Sequence, residues 1–143
     1  MKRKLDFVTN SSSTSFCAWG VEIDLVPKQL FEKIYEYYLK RKEKYKKNNF
    51  YESYEKDNVS FDEFRDLIND FDYDYTHYVS LYFRTLDLDC VFNRGCGTFL
   101  IGRNPFDMKE DQTLKEFKDG IISEFVKIGL GDRLDGISEE VET

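Results

Sequence analysis

Three amphipathic helix patterns dominate the sequence and limit the folds that it can adopt. Two of them begin with a capping box, Ser60-Phe-Asp-Glu63 and Thr113-Leu-Lys-Glu116, in which a hydroxyl and a carboxylate satisfy backbone N–H groups of the first turn. The third begins at Pro27, because the fixed φ of proline suits the first turn of a helix. Apolar residues at helical spacing then predict helices over about 27–47, 61–71 and 114–128.

Between these patterns lie segments with the composition of β-strands. Val79, Leu81 and Phe83 alternate with polar residues, which predicts a strand near 77–85. Apolar runs at 90–92 and 98–101 flank the five-residue loop 93–97, which contains two glycines and is typical of a β-hairpin, so strands are predicted near 90–93 and 97–101. At the N-terminus, residues 5–8 and 16–23 predict a second hairpin across a polar, turn-prone stretch.

Together these elements predict an α+β fold in which a small antiparallel sheet is packed by about three helices. The length of 143 residues suits one hydrophobic core, which we expect to span residues 1–131. Residues 132–143 are acidic and are predicted to form a flexible tail. Gly120 interrupts the third helix pattern, and we interpret it as a point of close packing.

Charge and composition exclude several classes of function. The net charge of −7 disfavours general binding to DNA, RNA or anionic membranes and favours a partner with a basic surface. No apolar run approaches the ~18 residues of a membrane-spanning helix, and no signal peptide is recognisable. The three cysteines are an odd number and widely spaced, which favours reduced thiols and predicts a cytoplasmic protein.

Two blocks of the chain resemble a group of small bacterial and phage proteins. The first is Lys4-Leu-Asp-Phe-Val-Thr-Asn-Ser-Ser-Ser-Thr-Ser-Phe16, and the second is the segment 101–117 that begins Ile-Gly-Arg-Asn-Pro. Thr14 interrupts the usual serine run of this group, and Cys17 replaces a typical aliphatic residue. The resemblance implies an origin in a phage or mobile element, and the group has no agreed activity.

Candidate groups for catalysis or metal binding are few. The hydroxyl-rich stretch 11–15 lacks the glycines and the lysine of a phosphate-binding loop. His77, Cys90 and Cys96 are weak candidates for a zinc site, because the five-residue gap between the cysteines exceeds the usual spacing. The sequence therefore predicts no catalytic residues and no cofactor.

Carboxylates between positions 55 and 74 are the most pronounced polar feature. Asp62, Asp66 and Asp70 are spaced four apart, so a helix carries them on one side at a rise of about 6 Å per step. A solvated surface explains such a row, and so does imitation of a phosphate backbone. The predicted partner-binding residues are Asp62, Glu63, Asp66, Asp70, Asp72, Asp74, Tyr73 and Tyr75.

The hypothesis favoured by the sequence is a non-enzymatic phage or mobile-element protein that inhibits a host nucleic-acid-handling protein, as an anti-CRISPR or other anti-defence protein does. Its partner is a protein with a basic surface, such as a CRISPR effector. The first alternative is an enzyme or zinc-binding module that uses the serine-rich loop, His77 and the cysteines. The second is a weak nucleic-acid binder that uses the basic run from Lys40 to Lys47.

Overall fold

The computed structural model describes residues 13–47 and 59–142. Within these residues the chain forms four α-helices, a short 3₁₀ helix and one four-stranded antiparallel sheet, which confirms the predicted α+β class. In chain order the elements are β1 (Ser13–Ile23), α1 (Lys28–Lys47), α2 (Phe61–Asn69), α3 (Tyr73–Thr85), β2 (Asp89–Asn93), β3 (Thr98–Arg103), the 3₁₀ helix (Pro105–Asp107), α4 (Leu114–Ile128) and β4 (Asp135–Glu142).

The strand order in the sheet is β2-β3-β1-β4, so the strand nearest the N-terminus lies inside the sheet. The first half of β1 pairs with β4, from Ser13 opposite Glu142 to Gly20 opposite Asp135. The second half pairs with β3, from Trp19 opposite Arg103 to Ile23 opposite Phe99. β1 therefore joins the hairpin of β2 and β3 to the C-terminal strand.

One face of the sheet packs against the helices and forms the main core. Val21 and Ile101 are directly opposite each other in β1 and β3, and both side chains point into this core. The helices contribute the side chains of their apolar stripes, which is why the periodic patterns in the sequence predict α1, α2 and α4. The fully buried helical residues of this core are Leu30, Ile34, Tyr38, Phe64, Ile68, Val79, Phe83, Ile121 and Phe125.

The other face of the sheet forms a second, smaller core from all four strands. Phe16, Ala18, Leu100 and Val141 are buried there, and Val91 and Ile137 pack against them. β2 and β4 stand at opposite ends of the strand order and yet contact each other. The sheet is therefore strongly curled, and this curl brings its two outer strands together around the second core.

Two paired glycines mark a close approach of the backbones of β1 and β3. Gly20 of β1 is directly opposite Gly102 of β3. A Cβ atom at Gly20 would overlap the carbonyl oxygen of Ile101 and lie 2.8 Å from the Cα atom of Gly102. A Cβ atom at Gly102 would in turn overlap the carbonyl oxygen of Trp19. Only residues without a side chain allow the two backbones to pass at this distance.

The strand predicted near 77–85 is wrong, because these residues belong to α3. Thr76, Val79 and Phe83 are its buried residues, and their spacing of three and four places them on one helical face. Asp72 is the N-cap, and its carboxylate accepts a hydrogen bond from the Asp74 N–H at 3.0 Å. The strands predicted at 90–93 and 97–101 are confirmed as β2 and β3, each within two residues.

The two ends of the chain also differ from the prediction. The segment expected to be a flexible tail contains β4, whose Val141 is fully buried. Residues 13–15 belong to β1 and not to a loop, because they pair with β4. The strand predicted at residues 5–8, the first partner of the N-terminal hairpin, lies outside the described residues.

Capping hydrogen bonds mark the starts of α2 and α4. Thr113 and Glu116 form the predicted capping box, with hydrogen bonds of 2.9 and 3.1 Å in the two directions. At the start of α2, the Ser60 hydroxyl accepts from the Glu63 N–H at 3.2 Å. α2 ends at Asn69, two residues before the predicted end, and α1 and α4 match the predicted helices within one residue.

Replacing Gly120 with alanine is expected to stabilise the protein by about 1 kcal/mol, because alanine is the better helix former in the interior of α4. The interpretation of Gly120 as a point of close packing is wrong, since a Cβ atom there would meet only Nη1 of Arg103 at 3.6 Å. Chemical denaturation of Gly120→Ala and the wild type measures the difference. An equal or lower free energy of unfolding for the variant would contradict the open space seen beside Gly120.

Candidate protein-binding surface

The carboxylates predicted to bind a partner lie on α2 and at the beginning of α3. Residues 60–74 contain six carboxylates and one cationic side chain, Arg65. We call this stretch the acidic segment. It contains all the partner-binding residues predicted from the sequence except Tyr75, which is partly buried and packs against the main core.

The apolar residues of α2 determine where its carboxylates point. Phe64 and Ile68 are buried against the main core, so Asp62 and Asp66 face outward from the other side of the helix. The side chains of Asp62 and Asp66 are 80% and 69% exposed. Arg65 lies beside both, at 3.5 Å from Asp62 and 4.0 Å from Asp66, and partly neutralises them. Such exposed pairs contribute little to stability.

Two residues after the end of α2, Phe71 adopts a left-handed backbone conformation with φ of 62°. The N–H of Phe71 donates to the carbonyl of Ile68, and the N–H of Asp72 donates to that of Leu67, both at 3.0 Å. This pattern is a Schellman motif, in which glycine usually occupies the left-handed position. A phenylalanine there costs about 1 kcal/mol of backbone strain.

The strained backbone presents an aromatic side chain at the corner between α2 and α3. The ring of Phe71 lies 5.1 Å from that of Phe92 in β2, and it covers Gly97 in the hairpin turn. Phe71 remains 45% exposed, and the neighbouring Tyr73 is 65% exposed. Phe71 is not among the partner-binding residues predicted from the sequence, because left-handed geometry at a bulky residue has no local sequence signal.

The six carboxylates of the acidic segment do not have equal structural roles. Asp62 and Glu63 lie in the first turn of α2, and Asp72 and Asp74 begin α3, where negative charge is favoured by the helix dipole. Asp66 and Asp70 lie instead at the C-terminal end of α2, where the dipole disfavours them. These two exposed carboxylates are therefore the ones that local stability does not explain.

A cavity of about 480 Å³ opens beside the acidic segment, between α1, α2 and α3. Tyr38 and Tyr78 line it together with Tyr75, and the rings of Tyr38 and Tyr78 meet edge to face at 4.9 Å. Burial raises the pKa of Tyr75, and the neighbouring Tyr38 contributes to the same effect. Tyr75 is therefore a neutral part of the wall near pH 7.

No protein-family model, curated protein or solved structure matches the chain. The role of the acidic segment and of the cavity must therefore be inferred from their own geometry. Among the helices of the described residues, none has the length and apolarity needed to cross a membrane.

The weak candidates for a metal site lie in three different elements. His77 is exposed on α3, Cys90 lies in β2, and Cys96 is exposed in the turn between β2 and β3. Within the ranges 13–47 and 59–142, no three histidine, cysteine or acidic side chains come close enough to hold a metal ion. The structure therefore does not assemble the zinc site considered from the sequence.

Cys90 also lacks the properties of a nucleophile. Burial raises the pKa of its thiol to about 12, although a hydrogen bond with Ser80 acts in the opposite direction. A thiol with this pKa is protonated near pH 7, and the thiolate is the reactive form. Residues 13–15 of the serine-rich stretch lie in β1, so they do not form the turn that the phosphate-binding interpretation required.

Proposed function

We propose that this protein is a non-enzymatic inhibitor that binds a basic surface of a nucleic-acid-handling protein through its acidic segment. The observation that carries the proposal is the exposed pair Asp66 and Asp70 at the unfavourable end of α2. Carboxylates kept where they do not stabilise their helix are available for an intermolecular partner of opposite charge.

The surroundings of the carboxylates add to this proposal. Phe71 and Tyr73 are exposed beside them, and aromatic side chains are favoured anchors at the centre of protein interfaces. A row of carboxylates about 6 Å apart carries the same sign of charge as a phosphate backbone, so a basic groove attracts both. The resemblance of two sequence blocks to phage proteins extends the proposal to a host defence complex, with a CRISPR effector as the first partner to test.

Affinity capture from a lysate of a CRISPR-bearing bacterium tests the proposal directly. We expect the wild-type protein to recover a nuclease or another nucleic-acid-binding protein, and added salt or competing DNA to release it. Asp66→Asn together with Asp70→Asn is expected to weaken the interaction about tenfold or more. Because neither carboxylate stabilises α2, the variant should unfold at the same temperature as the wild type or higher.

The matched control removes the same charge elsewhere. Glu110 and Asp111 are exposed in the segment before α4, and Glu110→Gln with Asp111→Asn leaves the acidic segment intact. This control is expected to retain the captured protein. Recovery of no nucleic-acid-binding protein, or equal recovery by both double variants, would rule the proposed function out.

A further inference from the structure

The cavity beside the acidic segment combines aromatic walls with carboxylates at its exposed side. Tyr38, Tyr75 and Tyr78 form the inner wall, and the exposed Tyr73 lines the same cavity from the start of α3. Glu63 and Asp74, both exposed, line it as well. Its volume of about 480 Å³ is sufficient for a large amino-acid side chain.

A cationic group of the chain itself already uses this wall. Lys42 is only 5% exposed, and its ammonium nitrogen lies 5.7 Å from the centroid of the Tyr38 ring. That distance is within the range at which a cation is attracted to the face of an aromatic ring. The inner wall is therefore chemically suited to positive charge, and this observation does not depend on the carboxylates.

The charges around the cavity are distributed unevenly. Arg41 and Lys42 both come from α1, and Nη1 of Arg41 donates to the Tyr37 hydroxyl at 3.2 Å. The carboxylates of Glu63, Asp72 and Asp74 come from the starts of α2 and α3. A positively charged ligand is thus attracted toward the α2 and α3 side, where Tyr73 stands.

We propose that this cavity receives an arginine side chain of the basic partner, with the guanidinium group against Tyr73 and paired with Asp74 or Glu63. Arginine fits better than lysine, because its planar group stacks on aromatic rings and binds carboxylates through two parallel hydrogen bonds. This inference rests on the proposed function for the source of the arginine, but the cavity can be tested without the partner.

His77 provides a specific probe, because it is the single histidine of the chain and lines the cavity. The probe ligand is the blocked peptide acetyl-Gly-Arg-Gly-amide, compared with the same peptide containing lysine or citrulline. In ¹H NMR titrations we expect the arginine peptide to shift the His77 ring signals in a saturable manner. The lysine peptide should bind more weakly, and the uncharged citrulline peptide should leave the signals unchanged.

Variants locate the binding within the cavity. Tyr73→Leu is expected to weaken the arginine peptide by roughly two- to fivefold, the range for an exposed cation–π contact. Asp74→Asn should weaken it as well, and Asp87→Asn, which alters an exposed carboxylate at the far end of α3, should not. The fluorescence of Trp19, which lines a separate cavity against α4, should stay constant.

An absent or non-saturable shift of the His77 signals would overturn the inference. Equal binding of the citrulline peptide, or unchanged binding of the arginine peptide by Tyr73→Leu and Asp74→Asn, would overturn it as well.

The double variant Asp66→Asn with Asp70→Asn separates the arginine site from the proposed function. If this variant loses the captured protein but the arginine peptide never binds, the proposed function stands and the arginine site is wrong. If the peptide binds and no basic protein is captured, the cavity stands without the proposed partner.

Discussion

Replacing Gly20 or Gly102 with alanine is expected to lower the free energy of unfolding by about 3 kcal/mol or more. Each new methyl group would overlap a backbone carbonyl oxygen of the opposite strand, and a backbone pinned by pairing on both sides of β1 has little room to move. Thermal and chemical denaturation of the two variants, followed by circular dichroism, measures the loss. A chain that no longer folds is the extreme form of the same result.

Gly131→Ala is the matched control for these two substitutions. Gly131 has φ of 86° and no atom within 4 Å of an added Cβ, so its replacement costs about 1 kcal/mol through the backbone alone. If Gly20→Ala were no more destabilising than Gly131→Ala, the close approach of β1 and β3 would be refuted.

Removal of residues 132–143 is expected to destabilise the protein by more than about 4 kcal/mol or to abolish cooperative unfolding. This deletion removes β4, which pairs with β1 over eight residue pairs and closes the second core with Val141. Val141→Ala alone should cost roughly 2 kcal/mol, because it empties part of a fully buried site. Both proteins can be compared with the full chain by denaturant unfolding.

Glu139→Gln provides the control within the same strand. Its side chain is exposed, and the substitution keeps the pairing of β4 with β1, so we expect a change below ~0.5 kcal/mol. If the truncated protein unfolded at the same denaturant concentration as the full chain, β4 would contribute nothing to stability. That is the behaviour of a flexible tail.

The sequence correctly predicted the helices that carry both a start signal and an apolar stripe. The prediction was wrong for α3, where the spacing of apolar residues fits a helix and a strand equally well. In α3, Val79 and Phe83 are separated by four residues, a spacing that fits one helical face and also one face of a strand. The many aromatic residues of this segment then favoured a strand. The N-cap at Asp72 was the opposing signal, and it stood within a run of carboxylates that obscured it.

The strand β4 was missed for a different reason. Its apolar residues are only Ile137 and Val141, and the acidic residues between them suggested a solvated tail. The curled sheet buries Val141 and partly buries Ile137, while Glu139 and Glu140 stay exposed. This arrangement depends on the contact of β4 with distant strands, which no local pattern contains.

The candidate site was also only partly readable from the sequence. The carboxylates at spacing four predicted the exposed row on α2, because charge and helical period are both local properties. The cavity was not predictable, since it brings Lys42 of α1 and Tyr38 next to residues of α3. The exposure of Phe71 was not predictable either, because it depends on the direction that the backbone takes after α2.

The pairing of β1 with β4 has a consequence for the order in which the chain can fold during synthesis. Cys17 and Ser138 are directly opposite each other in the sheet, and 121 positions separate them along the chain. β1 and the helices are synthesised before β4, so one edge of β1 has no partner from β4 until residues 135–142 have emerged from the ribosome. Completion of the sheet is therefore a late step in folding, and until then the nascent chain depends on protection against association with other chains.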